Sequence, residues 1–288
     1  MSPLSSTLCY SAFFILFLFV HFTETANLDT KHPAKGLLKV RLDYGLATQP
    51  VRGEDEGEGS HRWVFSSYLE FKDPVSSITD SQLRMMAQNA HKEMEIDMMQ
   101  YDPEDKDGQF AILPTVMTIL AFDNKIILAS SQRGRSGFIN EWPQSPVKLS
   151  LDRCSVFWRE RALANPTIYS NPYSWHRNKA KCGEVNSFHL YYMTNDRPIP
   201  DLSPKMRVTS VRKQGRDYKI VPPCGQNKNG VDSKDEWGCN LLVPDQKVKY
   251  ISDDVAAKGY GLNKIAGGVQ RKGQIQMCTR NHIIWDGE

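Results

Sequence analysis

Three cysteines in the middle of the chain occupy positions that suit metal ligands. Cys182 precedes a predicted helix, Cys224 follows a predicted strand through two prolines, and Cys239 directly precedes a second predicted helix. A helix start presents unpaired backbone N–H groups and the positive end of the helix dipole, which lower the pKa of a nearby thiol and favour the metal-binding thiolate. Three protein ligands on zinc would leave the fourth tetrahedral position for water, as a catalytic site requires.

Glu184 is the candidate proton carrier. It follows Cys182 by two positions, and within a regular helix residues at that offset lie on different faces. At a helix start the metal can lie beyond the helix end, where Cys182 would ligate it and Glu184 would reach the bound water. A carboxylate there could take a proton from the water and return it to a leaving amine. The alternative is an ordinary first-turn glutamate, which the helix dipole favours.

The cysteine count leaves several interpretations open. Of the six cysteines, Cys9 lies in a predicted signal peptide, so the mature chain would keep an odd number. An odd number cannot pair internally, so either one thiol is free or three cysteines bind a metal while Cys154 and Cys278 form a disulfide. In an oxidising compartment, two of the three central cysteines could instead form a disulfide with each other.

The N-terminus predicts secretion. An apolar run at residues 10–22, followed by small and polar residues up to Ala26, is typical of a signal peptide over residues 1–26. An uncleaved anchor is the alternative, but the run is shorter than the roughly 20 apolar residues that a membrane helix needs, and no later segment approaches that length. The whole chain is 40% hydrophobic and 24% charged with a net charge of +3, which is ordinary for a globular protein and does not by itself indicate a nucleic-acid partner.

The hydrophobic pattern of the first half predicts a helix and a hairpin. From Asp80 onwards, apolar residues recur at spacings of three and four up to residue 98, with Asp80 or Ser81 as the cap. Residues 115–131 form two β-rich runs joined at Asp123-Asn124, which predicts a tight hairpin. Residues 150–180 contain two Asn-Pro breaks and are predicted to be irregular.

The second half predicts a buried helix followed by shorter elements. The residues after Asn186 are apolar on most faces, which indicates a buried helix that ends near Asn195 and has His189 facing the core. The shorter elements are two extended pieces at residues 205–221 around a turn at Gly215, a helix at residues 240–243 and a strand at residues 247–252. This element order predicts an α/β fold with helices layered on a mixed sheet.

The motifs Cys182-Gly183-Glu184 and Pro223-Cys224…Cys239 resemble those of the zinc-dependent deaminase superfamily. That family pairs a [His/Cys]-x-Glu motif at a helix start with a Pro-Cys…Cys motif at a later helix. The resemblance covers roughly 170 residues, from Asp80 to about Ser252, and is greatest to the toxin-like and secreted-effector branches. It implies a three-layer α-β-α fold with a central mixed sheet, zinc on the three cysteines, and Glu184 as the proton shuttle.

Two features depart from the family pattern. The family usually places its last two cysteines three positions apart, whereas 14 residues separate Cys224 from Cys239. A looped-out segment is tolerable because loop closure costs only about 0.6 kcal/mol for each doubling of loop length, and glycines at 225, 230 and 238 would help the loop leave and return. Three thiolates also outweigh the charge of a dication, which predicts a weaker Lewis acid than a zinc ion with a histidine ligand.

The resemblance also implies a division of the chain and a function. The predicted segments are a signal peptide (1–26), an N-terminal extension (27–78), a deaminase-like zinc domain (79–252) and a C-terminal extension (253–288). The implied activity is that of a secreted zinc hydrolase, a toxin or effector that deaminates a cytosine or adenine base in a nucleoside or nucleic acid.

Residues near the motif bear on the substrate. Trp175 and His176, in the aromatic loop before Cys182, could line a substrate pocket, and a surface histidine is the alternative for His176. Basic residues at positions 205–219 and 177–181 could bind phosphates, or could form a solvated strand face. Two other functions stay open: a secreted interaction protein on an inactive deaminase-like scaffold, whose partner the sequence does not identify, and a secreted nuclease using His176 and a carboxylate.

Overall fold

The computed structural model describes most of the chain beyond its N-terminal segment. The described residues are 27–49, 61–101, 113–202, 205–226, 230–252 and 254–287. The predicted signal peptide, on which the prediction of secretion depends, lies outside them. No helix within these ranges is long and apolar enough to cross a membrane.

A large, mostly antiparallel sheet forms the middle layer. The strands within the described ranges are β1 (Arg41–Leu42), β2 (Arg62–Trp63), β3 (Phe65–Phe71), β4 (Val116–Phe122), β5 (Lys125–Ser130), β6 (Arg133–Gly134), β7 (Arg207–Gln214), β8 (Asp217–Ile220), β9 (Lys249–Tyr250), β10 (Val269–Ile275) and β11 (Ile283–Trp285). Nine of them form one sheet with the order β11-β10-β3-β5-β4-β7-β8, in which β1 pairs with β3 and β9 pairs with β7. The β7–β9 pair is parallel and the other pairs are antiparallel, so the sheet is mixed, as predicted.

The predicted hairpin at residues 115–131 is confirmed. Strands β4 and β5 pair antiparallel with Phe122 opposite Lys125, and Asp123 in the turn has a φ of 44°. Their apolar side chains alternate between the two faces of the sheet: Leu120 joins one buried cluster and Ile119 joins the other. The hairpin therefore contributes to both hydrophobic cores, as expected of strands buried on both faces.

Helix α2 (Asp80–Met98) covers one face of the sheet. Its buried residues include Leu83, Ala87, Ala90 and Met94, and it packs against β4 and β7. The predicted helix is confirmed, but the predicted cap at Asp80 or Ser81 is wrong.

The cap of α2 is Thr79. The Thr79 hydroxyl accepts the Gln82 backbone N–H at 3.2 Å, and the Gln82 side chain accepts the Thr79 backbone N–H at 3.0 Å. This reciprocal capping box satisfies two backbone donors at once. Asp80 instead forms ion pairs with Arg207 at 2.8 Å and Lys249 at 3.1 Å.

The opposite face of the sheet carries three further helices. They are α3 (Pro146–Ala164), α4 (Gly183–Thr194) and α5 (Cys239–Asp245), and the short α1 (Tyr44–Ala47) lies beside β2. Helix α4 packs on β4 and β5, while α3 and α5 pack on α4. All residues of α4 except Thr194 are buried, which confirms the predicted buried helix. His189 points into the core, because its Nε2 lies 2.9 Å from the Met277 carbonyl oxygen.

Helix α3 corrects the prediction that residues 150–180 are irregular. The helix starts with Ser145 as its cap and Pro146 in its first turn, and it reaches Ala164 before the first Asn-Pro break. Val147, Leu151, Cys154 and Trp158 are buried at helical spacing. Exposed apolar residues on the other side of the helix obscure this period in the sequence: Leu149, Val156, Phe157 and Leu163.

The architecture is the predicted three-layer α/β fold, with α2 on one side of a mixed sheet and α3, α4 and α5 on the other. The sheet also includes strands from both segments that the sequence predicts as extensions. Strand β3, from residues 27–78, lies between β5 and β10, and β10 and β11 come from residues 253–288. The sheet on which the site helix α4 packs therefore includes strands from both predicted extensions.

Candidate metal centre

Four side chains come together at the start of α4. One ligand atom from each of His176, Cys182, Cys224 and Cys239 lies within 4.8 Å of the corresponding atoms of the others. The Cys182 and Cys224 sulfurs are 3.2 Å apart, and the His176 Nε2 is 3.7 Å from the sulfurs of both Cys224 and Cys239. Two Zn–S bonds of 2.3 Å at a tetrahedral angle would separate their sulfurs by about 3.8 Å, so the cluster has the size of a metal site.

Each member of the cluster comes from a different local structure. Cys182 is the residue before α4, Cys239 is the first residue of α5, and Cys224 lies in a turn after β8. Within the described part of the chain, the Cys182 side chain forms no capping hydrogen bond to α4. His176 lies in the loop before α4 and forms an isolated β-bridge with Trp237. The cysteines thus lie where the sequence places them, close to two helix starts.

The long segment between Cys224 and Cys239 closes at its base. The Asn240 backbone N–H donates to the Cys224 carbonyl at 2.9 Å, and the Cys239 N–H donates to the Cys224 sulfur at 3.2 Å. Gly225 has a φ of +91°, where a Cβ would lie 2.1 Å from the Asn240 side chain. At Gly238 a Cβ would lie 2.5 Å from the Cys224 sulfur. Two of the three glycines predicted to aid the loop are therefore required by close contacts.

The three thiols differ in their electrostatic surroundings. Hydrogen bonds from Cys182 and Cys239, together with the neighbouring His176, hold the pKa of Cys224 well below its ordinary value. Burial raises the pKa of Cys239 well above its ordinary value, and the hydrogen bond with Cys224 does the same for Cys182. Cys224 is therefore the first of the three to become a thiolate.

Glu184 is buried beside these thiols. Burial, followed by the negative charge of Cys224, raises the pKa of Glu184 to about 7. The Ser210 hydroxyl on β7 donates to the Glu184 carboxylate at 2.8 Å and also lies 2.6 Å from the Thr118 hydroxyl on β4. The sheet therefore holds the carboxylate in a defined orientation.

Gly183 lets the start of α4 approach the sheet. A Cβ on Gly183 would lie 2.2 Å from the Thr118 hydroxyl oxygen and 3.1 Å from the Ala129 carbonyl oxygen. The middle residue of the Cys-Gly-Glu motif is thus required for close packing against β4 and β5.

A cavity of about 490 Å³ opens onto the cluster. Cys182, Glu184 and Cys224 contribute to its wall, as do Ser210 and Asn178. Its charged lining is mostly basic and comprises Arg177, Lys179, Lys181 and Arg212, with Glu184 as the acidic member. The cavity is therefore suited to a ligand that carries negative charge and also contacts the buried carboxylate.

The two residues predicted for a substrate pocket differ in exposure, although they share a cavity. Both line a second cavity of about 800 Å³. Trp175 is 86% exposed there, whereas His176 is buried and its Nε2 points at the cysteines. His176 therefore belongs to the His/Cys cluster, which the sequence does not reveal because no fixed spacing links a loop histidine to a candidate site of this kind.

The disulfide predicted between Cys154 and Cys278 is not formed. Among the described residues no cysteine pair lies at disulfide bonding distance, and both of these thiols are free. Cys154 lies on α3 near Asp245, while Cys278 accepts a hydrogen bond from Gln49 at 2.9 Å. The two therefore lie in different surroundings, and burial raises the pKa of each thiol to about 12.

Three residues of the predicted basic strand face have different surroundings. Arg207 pairs with Asp80, and Lys213 pairs with Glu95 at 2.8 Å. Arg212 instead lines the cavity beside the cluster.

No protein-family model, curated protein or solved structure matches this chain.

Proposed function

We propose that this protein is a secreted zinc-dependent hydrolase that deaminates a cytosine or adenine base in a nucleoside or nucleic acid, with a role as a toxin or effector. One observation carries the proposal: Glu184, Cys182 and Cys224 all line the same cavity. A tetrahedral set rich in thiolate favours zinc among the common metals. The resemblance of the Cys182-Gly183-Glu184 and Pro223-Cys224…Cys239 motifs to deaminases gives the reaction class.

The proposed reaction is hydrolysis of an exocyclic C–N bond. Bound zinc would supply a water molecule of lowered pKa. Glu184 would take a proton from that water as its oxygen attacks the amidine carbon and a C–O bond forms, and would pass this proton to the ring nitrogen of the amidine. Glu184 would then move the second proton, from the new hydroxyl group, to the exocyclic nitrogen, so that the C–N bond breaks, ammonia departs and a carbonyl remains on the base beside the protonated ring nitrogen. Ser210 orients Glu184 through its 2.8 Å hydrogen bond.

The lining of the cavity supports a phosphate-bearing form of this substrate. Four basic side chains line this cavity, and the buried Glu184 is part of the same lining. Arginine and lysine at such positions attract phosphate, and the attraction weakens as salt screens the charges. A nucleotide or a single-stranded nucleic acid fits this lining better than an uncharged nucleoside does.

Replacement of the carboxylate tests the proposal. Glu184→Gln keeps the shape of the side chain and removes its ability to accept a proton, so we expect ammonia release to fall by a factor of about 100 or more. Zinc content, measured by elemental analysis, should stay at one ion per chain. The matched control is Glu95→Gln on α2, a carboxylate that pairs with Lys213 on the opposite face of the sheet. Full activity in Glu184→Gln would refute the mechanism.

A second candidate function follows from the number of donors in the cluster. If His176 completes a four-ligand set with the three cysteines, the site is closed, as in structural zinc sites. The protein would then be an interaction protein on an inactive deaminase-like scaffold. One zinc per chain without ammonia release from any cytosine or adenine substrate would favour this function.

The nuclease alternative gains no support from the cluster, because the His176 Nε2 faces two sulfurs.

A further inference from the structure

We propose that His176 is a hydrogen-bond donor to the metal-binding thiolates, and that it does not ligate the metal. The inference rests on the proposed function and deepens it, because it leaves three cysteine ligands and an open coordination position. It assigns to His176 a positioning role within the site.

The first support is the environment of the other ring nitrogen. The His176 Nδ1 accepts the backbone N–H of Asn178 and the backbone N–H of Ala180, each at 3.2 Å. A backbone N–H can only donate, so the lone pair of Nδ1 is engaged. A neutral imidazole then carries its proton on Nε2, which has no lone pair left for a metal.

The usual arrangement of a ligating histidine is the reverse. Such a histidine directs one nitrogen lone pair at the metal and donates its other ring N–H to a carbonyl or carboxylate oxygen. Around His176 the partners of Nδ1 are donors. A half-turn of the ring would place a carbon against both N–H groups, and each buried donor left unpaired costs about 1–3 kcal/mol.

The loop is built to hold the ring in this orientation. Lys179 and Ala180 have φ values of 49° and 58°, and such left-handed conformations are uncommon for non-glycine residues. This turn brings the second N–H donor back to His176. The ring also packs edge-on against Trp237 at a centroid distance of 5.2 Å, and the Arg177 N–H donates to the Trp237 carbonyl at 2.8 Å.

The consequence is that every sulfur of the cluster has an N–H neighbour. The Asn178 side-chain amide donates to Cys182 at 3.3 Å, and the Cys239 backbone N–H donates to Cys224 at 3.2 Å. The His176 Nε2–H lies 3.7 Å from both Cys224 and Cys239, within the range of hydrogen bonds to sulfur. Such donors withdraw electron density from thiolates. They offset the weak Lewis acidity predicted for a zinc ion with three cysteine ligands.

Nitrogen NMR of the zinc-loaded, ¹⁵N-labelled protein tests the inference directly. We expect the His176 Nε2 to carry a proton and Nδ1 to show an unprotonated, hydrogen-bonded shift. A metal-bound Nε2 with a protonated Nδ1 would overturn the proposal. This readout does not depend on activity.

Cobalt substitution provides the second arm. In His176→Gln the amide N–H₂ can still donate to the sulfurs, so the visible absorption bands of the cobalt protein should match those of the wild type. In His176→Phe the donor is lost while three sulfur ligands stay, so we expect the same bands and a 10- to 100-fold lower zinc affinity by chelator competition. A changed band pattern in His176→Gln would show that a nitrogen ligand had been removed and would refute the inference.

The two proposals can fail separately. If Nε2 binds zinc while ammonia release still depends on Glu184, the role of His176 is wrong and the hydrolase proposal stands. If Nε2 carries a proton and no ammonia is released, the role of His176 stands and the hydrolase proposal fails.

Discussion

Helices α2 and α4 press on opposite faces of the same sheet, and they begin in opposite ways. The start of α2 is closed by the Thr79–Gln82 capping box. The start of α4 follows Cys182, whose side chain forms no capping bond among the described residues and faces the cluster. A helix whose first turn is capped by its own side chains contributes stability, whereas a first turn left to a thiol is available for a metal and a substrate.

The two helices also differ in what they bury. Helix α2 exposes one side and buries mostly apolar residues, with His91 and Asp97 as its buried polar members. Helix α4 buries nearly its whole surface, including Glu184, Asn186 and His189. Each of these polar side chains has a hydrogen-bonding partner outside the helix, such as the Ser130 carbonyl for the Asn186 amide at 2.7 Å. His91 and Asp97 of α2 also have partners outside their helix, the Thr115 carbonyl at 3.4 Å and the Leu42 backbone N–H at 2.8 Å. The two helices therefore differ in how fully they are enclosed, and not in whether their buried polar groups find tertiary partners.

The largest expected effect comes from replacing Cys239, the cluster cysteine at the start of α5, on the same face of the sheet as α4. If the proposed zinc is bound, Cys239→Ser should reduce the zinc content from one ion per chain to almost none and lower the free energy of unfolding by more than about 3 kcal/mol, because an ion that binds only the folded chain stabilises it. Elemental analysis and denaturant unfolding measure the two effects. Cys154→Ser removes another buried thiol, which lies outside the cluster, and should leave the zinc content unchanged. Equal zinc content in both variants would rule out Cys239 as a ligand.

The buried histidine of α4 predicts a dependence of stability on pH. Burial lowers the pKa of His189 to about 4, so between pH 6.5 and 4 the unfolded chain binds a proton that the folded chain does not. Stability should therefore fall as the pH drops through this window, by up to about 3 kcal/mol from this group, and its contribution should be constant above pH 6.5.

His189→Gln isolates this contribution. The variant lacks the titrating group, so its free energy of unfolding should fall less steeply than that of the wild type between pH 6.5 and 4. Denaturant unfolding at several pH values measures the difference. Parallel pH profiles for the two proteins would show that His189 titrates alike in the folded and unfolded chains.

A smaller effect is expected where α4 approaches the sheet. Gly183→Ala places a methyl group against Thr118 and should cost about 1–3 kcal/mol, with a loss of zinc affinity as the helix start shifts. Gly45→Ala in α1 is the control, because its nearest neighbour would be 3.4 Å away. Thermal unfolding and chelator competition should separate the two variants. Equal thermal stability and equal zinc affinity in the two variants would mean that the chain accommodates a methyl group at Gly183 without losing stability.

The smallest effect belongs to the cap of α2. Thr79→Ala removes the side-chain acceptor for the Gln82 N–H and should cost about 1 kcal/mol. Thr79→Ser keeps the hydroxyl and should restore most of the loss. Zinc content and ammonia release should not change in either variant, since Thr79 lies in the layer opposite the site. A loss of zinc in Thr79→Ala would show that the start of α2 also affects the metal site, which contradicts the separate roles of α2 and α4.

Local patterns were sufficient to predict several elements. Helix α2 follows from apolar spacing, the β4–β5 hairpin from two β-rich runs and the Asp123-Asn124 turn, and α4 from its apolar run. Helix α3 was missed because apolar residues on its exposed side, such as Val156 and Phe157, mask its amphipathic period. The cap of α2 was missed by one residue because Ser, Thr and Asp are all good caps, and only the geometry selects Thr79.

The sequence by itself determined the ingredients of the site: thiols next to helix starts, a glutamate two residues after Cys182, and glycines at the base of the loop. These features depend on neighbours along the chain. Only the tertiary structure decided that His176 joins the cysteines, that Cys224 and Cys239 meet across 14 residues, and that Cys154 stays apart from Cys278. The physical reason is that a metal cluster requires nearness in space. Here that nearness is set by contacts between distant segments, such as the bridge between His176 and Trp237.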